Sequence, residues 1–266
     1  MSVAIVIPAR FESSRYPGKP LVPLRGATGV SKTLIQRSWE AAQTVSGIDQ
    51  VFVATDDPRI RDAVTAFGGK TLMTSSACRN GTERCAEALA GLPAETEIVV
   101  NLQGDAPLTP AWFIEGLVDK LQDDPSFDVA TPVLPCDGVT LNAFLDDRKA
   151  GRVGGTTAVF GAGGRALYFS KEVIPYTGSQ YEPAEYTPVF HHVGVYAYRP
   201  AALKAYLGID ETALERLEGL EQLRFLYAGV PVACVEVSAR GRQFWELNNP
   251  EDVDRLERMM AEMDMP

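Results

Sequence analysis

Four short apolar runs, at residues 4–7, 51–55, 98–102 and 129–132, constrain what this chain can fold into. The first three are rich in β-branched residues, as in Ala4-Ile5-Val6-Ile7 and Ile98-Val99-Val100-Asn101-Leu102. None shows the strict apolar–polar alternation of a half-exposed strand, so each reads as a strand covered on both faces. Helical patterns lie between them. One is predicted over 32–45, capped by Ser31, with Leu34, Ile35, Ser38, Trp39 and Ala42 on one face. Asp56-Asp57-Pro58 opens a second, which Gly68-Gly69 closes. Residues 70–73 read as a short strand, Thr82 as the cap of a helix over 83–92, and 110–121 as a further helix. Alternating β and α of this kind predicts an α/β fold of Rossmann-like type. Its sheet is mixed and mostly parallel, with helices on both faces, and ligands bind beyond the carboxyl ends of its strands.

The pattern changes between 135 and 188. Strands at 156–160 and 165–170 flank Gly161-Ala162-Gly163-Gly164, a hairpin signal, and 175–188 is polar and turn-rich. A strand over 193–198, a helix from Pro200, an amphipathic helix over 215–227, a strand over 232–237 and a last helix over 250–260, started by Asn249-Pro250, complete the chain. We therefore expect one domain over 1–266 with a smaller lobe inserted at about 135–190. The hairpin fits either a contact between two copies or packing on its own domain.

Composition removes several function classes. The net charge of −10 disfavours non-specific nucleic-acid binding. Cys78, Cys85, Cys136 and Cys234 form no Cys-x-x-Cys pair and the only histidines are His191 and His192, which argues against a zinc site. Packed, reduced thiols in a cytosol are the default. The first apolar run is too short for a signal peptide, and no stretch approaches membrane-spanning length, so a cytoplasmic protein with no membrane partner is expected.

In so acidic a chain the segment after the first strand stands out. Pro8 is expected to end that strand. Beyond it come Arg10, Arg15 and Lys19 among small residues. Arg supplies a planar fork and Lys a point charge, the pair of cations suited to a polyphosphate. Charge alone leaves two readings open, a solvated basic loop and a phosphate clamp. A dinucleotide oxidoreductase is disfavoured, because Pro8-Ala9-Arg10 stands where a glycine fingerprint would let a pyrophosphate approach a helix.

The run Ile7-Pro8-Ala9-Arg10, then Ser14-Arg15-Tyr16-Pro17-Gly18-Lys19-Pro20-Leu21, resembles the signature of the sugar-nucleotide cytidylyltransferases, and among them the 3-deoxy-manno-octulosonate (Kdo) cytidylyltransferases. The resemblance continues in Asn80-Gly81-Thr82-Glu83-Arg84, Asn101-Leu102-Gln103-Gly104-Asp105-Ala106-Pro107, Leu167-Tyr168-Phe169-Ser170-Lys171, His191-His192-Val193-Gly194-Val195-Tyr196 and Leu220-Glu221-Gln222-Leu223-Arg224, and so spans nearly the whole chain. It implies transfer of CMP from CTP to the anomeric hydroxyl of a 2-keto-3-deoxy sugar acid, with pyrophosphate leaving. It implies Arg10, Lys19 and Asp105 as catalytic residues. Ala9, Arg10, Arg15, Lys19, Asn80, Gly81, Arg84 and Gln103 would bind the nucleotide. His192, Glu221 and Gln222 would bind the sugar. Asp105 would hold Mg²⁺, and the chain would form a homodimer.

Several of these residues also have a bland local reading. Asp105 is a carboxylate after a buried strand, equally the mark of a turn. Arg79 to Arg84 is locally a capping arrangement with an acid in the first helical turn. A histidine at a strand start is usually structural, and Glu221 and Gln222 fit a solvated helix face.

Three departures from the resemblance fall where chemistry is expected. Gly154-Gly155-Thr156-Thr157 stands in place of an Asn-x-Val-Lys, His191 in place of an arginine, and Asn248 in place of an aspartate that would be a second metal ligand. At Asn248 three outcomes stay open. Asp105 and the phosphates hold the metal, Glu246 compensates, or turnover is weak or directed at another acid. The rival readings are a cytidylyltransferase for a different small acid and a non-catalytic nucleotide-binding relative.

Overall fold

The opening apolar run forms β1 (Ser2–Ala9) in a computed structural model that describes residues 2–12, 16–153, 155–242 and 245–266. The short strands β2 (Pro23–Arg25) and β3 (Ser31–Thr33) pair antiparallel and lead into α1 (Leu34–Gln43). Then come β4 (Gln50–Thr55), α2 (Pro58–Ala66), β5 (Lys70–Met73), α3 (Gly81–Ala88), β6 (Thr96–Asn101) and α4 (Ala111–Asp123). Two compact units divide the chain, one made of Met1–Glu115 with Arg240–Pro266 and the other of Gly116–Ala239.

In the first unit the strands run β5-β4-β1-β6, all parallel. Ile5, Ile7, Val53, Ala54, Val99 and Val100 are wholly buried, as strands covered on both faces require. Pro8 does not end β1, contrary to expectation. The Val6 carbonyl accepts from Leu102 N–H on the β6 side, so by alternation the Pro8 nitrogen faces that side too. The β1–β6 ladder has already closed there at Val6–Asn101, while β1 continues against β4 through Ala9–Thr55. Two caps also differ. Thr33 caps α1 by accepting from Gln36 N–H, because Ser31 belongs to β3. Asn80 caps α3, its Oδ1 accepting from Glu83 N–H at 2.8 Å, whereas Thr82 lies buried inside the helix.

The second unit holds β7 (Val129–Asp137), α5 (Gly138–Lys149), β8 (Thr156–Phe160), β9 (Ala166–Ser170), β10 (Tyr186–His192), β11 (Tyr196–Tyr198), α6 (Pro200–Leu207), α7 (Ala213–Glu218), α8 (Leu223–Tyr227) and β12 (Val232–Glu236). Its strands run β11-β7-β10-β8-β9 in antiparallel pairs, with β12 parallel to β7. The unit is thus mixed where the first is parallel. Helix α5 was not expected. Asp137 caps it, accepting from Thr140 N–H, and Leu141 and Phe144 tie it to Cys136 and Val189. The expected helix over 215–227 is two helices, because Gly219 ends α7 in a left-handed conformation. A buried fork then joins them, Arg224 Nε and Nη2 donating to Glu215 at 2.8 and 2.6 Å.

The chain ends in α9 (Asp252–Glu262), within the first unit. Helix α9 begins after the expected Asn249-Pro250 start. The Asp252 carboxylate gathers the N–H groups of Asn248 and Asn249 and the indole N–H of Trp245. Leu247, Leu256, Met259 and Met260 pack with Leu24, Leu34 and Leu108 beneath this segment.

Candidate functional site

Parallel strands that stop together leave their carboxyl ends as one rim, and the first unit has a cavity there. Ala9 and Arg10 come from the end of β1, Gln103 and Asp105 from the loop after β6, and Asn80, Gly81 and Arg84 from the start of α3. Lys19 enters from a short 3₁₀ turn, Lys19–Leu21. Eight predicted residues thus line one cavity: Ala9, Arg10, Lys19, Asn80, Gly81, Arg84, Gln103 and Asp105. Arg15 lies outside the described residues.

The cavity sets its charges in fixed places. Lys19 Nζ sits 2.5 Å from Asp105 Oδ2, both side chains mostly withdrawn from solvent. The Asp105 carbonyl accepts from Leu247 N–H, which ties this loop to the segment before α9. Arg10 is exposed. Arg84, by contrast, is 3% exposed; it donates to Thr74 Oγ1 at 2.6 Å and lies 3.4 Å from Asp56 Oδ1. It is thus a buried part of the cavity wall, held by Thr74 and Asp56. Gly81 is held close beneath two amides. A Cβ there would stand 3.1 Å from Asn101 Nδ2 and 3.3 Å from Gln103 Nε2, so a side chain would press both amides out of place. Gln103 Nε2 also donates to Asn101 Oδ1. A helix N-terminus with ordered amides beside it offers directional donors and acceptors to a planar ring, and the cations nearby suit phosphates.

The donor set fits one small hard cation completed by phosphate and water. Among the described residues no three His, Cys, Asp or Glu side chains converge. Asp105, 25% exposed on the cavity wall, supplies a single carboxylate, which is what such a magnesium site asks of the protein. Asn248 is not part of the lining. Its Nδ2 donates to Glu246 Oε2 at 3.4 Å and its N–H to Asp252.

The predicted sugar residues lie in the second unit. His192 is buried, at the end of β10 rather than the start of a strand, with Nε2 2.8 Å from Thr131 Oγ1. Thr131 Oγ1 also lies within hydrogen-bonding distance of the Val195 carbonyl, at 2.9 Å, and of the Val193 carbonyl, at 3.3 Å. Burial and the neighbouring His191 push the His192 pKa down to about 3. Its ring packs against Phe169 and Tyr196. Gln222 is buried, not on a solvated face. Its Oε1 accepts from Tyr196 O–H at 3.1 Å, and its Nε2 is buried with no acceptor among the described residues. Glu221 is half-buried and its carbonyl accepts from Tyr206 O–H.

The altered positions are now placed. Thr157 is fully buried in β8, donating to the Glu172 carbonyl and accepting from Ile174 N–H, so it closes the hairpin against the segment that follows β9. His191 packs edge-on to Phe144, its pKa lowered to about 4 by burial. Gly154 lies outside the described residues. Sequence reasoning missed Cys78 and Arg79 as cavity lining, although both adjoin the Asn80-Gly81 motif that marked the place. Arg79 forks onto Glu83, and Cys78 Sγ donates to Glu87 while burial lifts its pKa to about 12.

The family model described as cytidylyltransferase matches residues 4–237. A 3-deoxy-manno-octulosonate cytidylyltransferase of Maricaulis maris is 44% identical over 261 residues, covering 98% of both chains. The mitochondrial 3-deoxy-manno-octulosonate cytidylyltransferase of Arabidopsis thaliana is 37% identical, covering 98% of this chain and 83% of its own. A solved CMP:2-keto-3-deoxy-manno-octonic acid synthetase complexed with CTP superposes with a TM-score of 0.83 at 36% identity, covering 99% of this chain and all of the other.

Proposed function

This chain belongs to the 3-deoxy-manno-octulosonate cytidylyltransferase family, and we propose that it transfers CMP from CTP to the anomeric hydroxyl of Kdo or a close 2-keto-3-deoxy sugar acid. The observation that carries this reading is the convergence of eight predicted residues on one cavity. The anomeric oxygen attacks the α-phosphorus in line, the bond to the bridging oxygen breaks, and pyrophosphate leaves. Positioning and charge stabilisation supply most of the rate. Arg10, Lys19 and, from its place in the motif, Arg15 hold the triphosphate and take up the charge of the leaving pyrophosphate. Asn80, Gly81 and Gln103 hold the base, and Arg84 braces them. His192, Glu221 and Gln222 orient the sugar acid; the unpartnered Gln222 Nε2 is a donor that a sugar oxygen would satisfy.

Asp105 would hold Mg²⁺, which when bound would supply charge neutralisation to the phosphates. Lys19, paired with Asp105 at 2.5 Å, keeps that carboxylate turned into the cavity. The enzyme works in the cytoplasm, as a homodimer built through the 135–190 lobe. Among the described residues no helix is long and apolar enough to cross a membrane.

The test is pyrophosphate release from CTP with a panel of 2-keto sugar acids, with and without Mg²⁺. Release with Kdo, and a loss of at least 100-fold in Asp105→Asn, is expected. CTP binding without release for any acid sinks the enzymatic reading.

A further inference from the structure

We infer that Phe11, clamped between Gly18 and Arg59, is a positioning residue that fixes the two ends of the phosphate loop and hence the cations Arg10 and Lys19. The inference deepens the nucleotide reading above and rests on it.

Arg10 and Lys19 flank a loop that must bring two flexible cations back to one cavity. The described residues show how its neck is closed. Gly18 N–H donates to the Phe11 carbonyl at 2.8 Å, and Leu21 N–H then donates to Gly18, starting the turn that carries Lys19. Gly18 has φ of +72°, and a Cβ there would stand 3.1 and 3.3 Å from Phe11 ring atoms. Glycine is thus required twice, by the left-handed backbone and by the ring lying against it. Arg59 covers the ring from another side, its guanidinium carbon 3.3 Å from the centroid. A cation at that distance over an aromatic ring is attracted to it.

Arg59 is itself held. Asp57 accepts from its Nε at 2.9 Å and its Nη2 at 2.6 Å, and also from its backbone N–H. Asp57 caps α2, two residues beyond Thr55, which pairs with Ala9 at the end of β1. The clamp therefore refers the loop neck to the same sheet edge that places Ala9, Arg10 and the cavity wall. None of Phe11, Asp57 or Arg59 lines that cavity, so they act through Arg10 and Lys19.

The experiment compares the full chain with Phe11→Leu, Arg59→Gln and Phe11→Tyr. Three readouts are taken: CTP affinity by calorimetry, KM and kcat for CTP, and amide hydrogen exchange over residues 16–21. Phe11→Leu and Arg59→Gln should weaken CTP binding and raise its KM about 10-fold with the melting temperature held, and should speed exchange over 16–21. Phe11→Tyr, which keeps the aromatic face, should restore both. Unchanged affinity and exchange in Phe11→Leu overturns the inference. So does a loss that follows melting temperature alone and that Phe11→Tyr fails to rescue. A wild-type chain that binds no CTP counts against the nucleotide reading instead, and the exchange rates then still decide whether the clamp orders the loop.

Discussion

At the scale of single residues the instructive position is Asn248. The residue before it, Leu247, donates to the Asp105 carbonyl, so Asn248 stands on a segment anchored to the proposed metal loop. Its amide faces the Glu246 carboxylate at 3.4 Å. An amide tolerates that neighbour; a second carboxylate would be repelled by it unless a cation lay between. Asn248→Asp should therefore lower the melting temperature by about 2–4 °C without divalent ions, the equivalent of about 1 kcal/mol in a chain of this size. Added Mg²⁺ should more than recover the loss. The measurement is melting temperature against MgCl₂ concentration for both chains. An identical Mg²⁺ response in the two would show that this position does not feed the cation site.

At the scale of elements, β10 and its neighbours hold two histidines as neutral groups. Burial lowers their folded pKa values, to about 4 for His191 and about 3 for His192, from 6.5. In the unfolded chain both take a proton below about pH 6.5. The unfolded state then binds more protons, so stability is complete above about pH 7 and falls as the pH drops through 6.5 toward 4. At pH 5 the cost is about 2 kcal/mol for His192 alone. Urea unfolding of the wild type and His192→Gln at pH 7 and pH 5 checks this. The variant should lose about 2 kcal/mol less between the two pH values; equal losses would mean that His192 titrates normally in the fold.

Elements with a strong local rule were legible in the sequence: the start of α2 at Asp57-Pro58, its end at Gly68-Gly69, and β5 to the residue. That the motif residues would meet in one cavity was legible too, because they sit next to strand ends, and strand ends share one edge. Misreadings arose where a local rule had two solutions. Asn80 and Thr82 are both capping residues, and the first took the role. Helix α5 was hidden because only Leu141 and Phe144 are buried among its side chains, leaving little periodicity to see. Burial of Gln222 and Thr157 was illegible for another reason. It depends on Tyr196 and on the Glu172 carbonyl, partners distant in sequence.

At the scale of the molecule, the distribution of exposed apolar side chains separates the two units. Of the exposed large hydrophobic residues, Val30 and Met73 belong to the first unit, while Val139, Val153, Leu167, Tyr176, Tyr186, Leu207, Leu214, Leu217 and Tyr227 belong to the second. Five of these fall within 135–190, where the hairpin lies. Leu167 on the edge strand β9 is 61% exposed and Tyr186 on β10 is 73% exposed. Surfaces of this kind, on an otherwise acidic chain, favour burial against another protein surface. A second copy satisfies that demand with one set of side chains, since a two-fold interface uses the same patch twice. Sedimentation equilibrium at micromolar concentration should therefore give twice the chain mass of 28.9 kDa. Leu167→Asp with Tyr186→Asp should shift the population to monomer. CTP affinity should stay within about 2-fold, because neither residue lines the cavity proposed for the nucleotide. A monomeric wild type would remove the dimer reading, and a doubly substituted chain that stays dimeric would move the interface away from the hairpin.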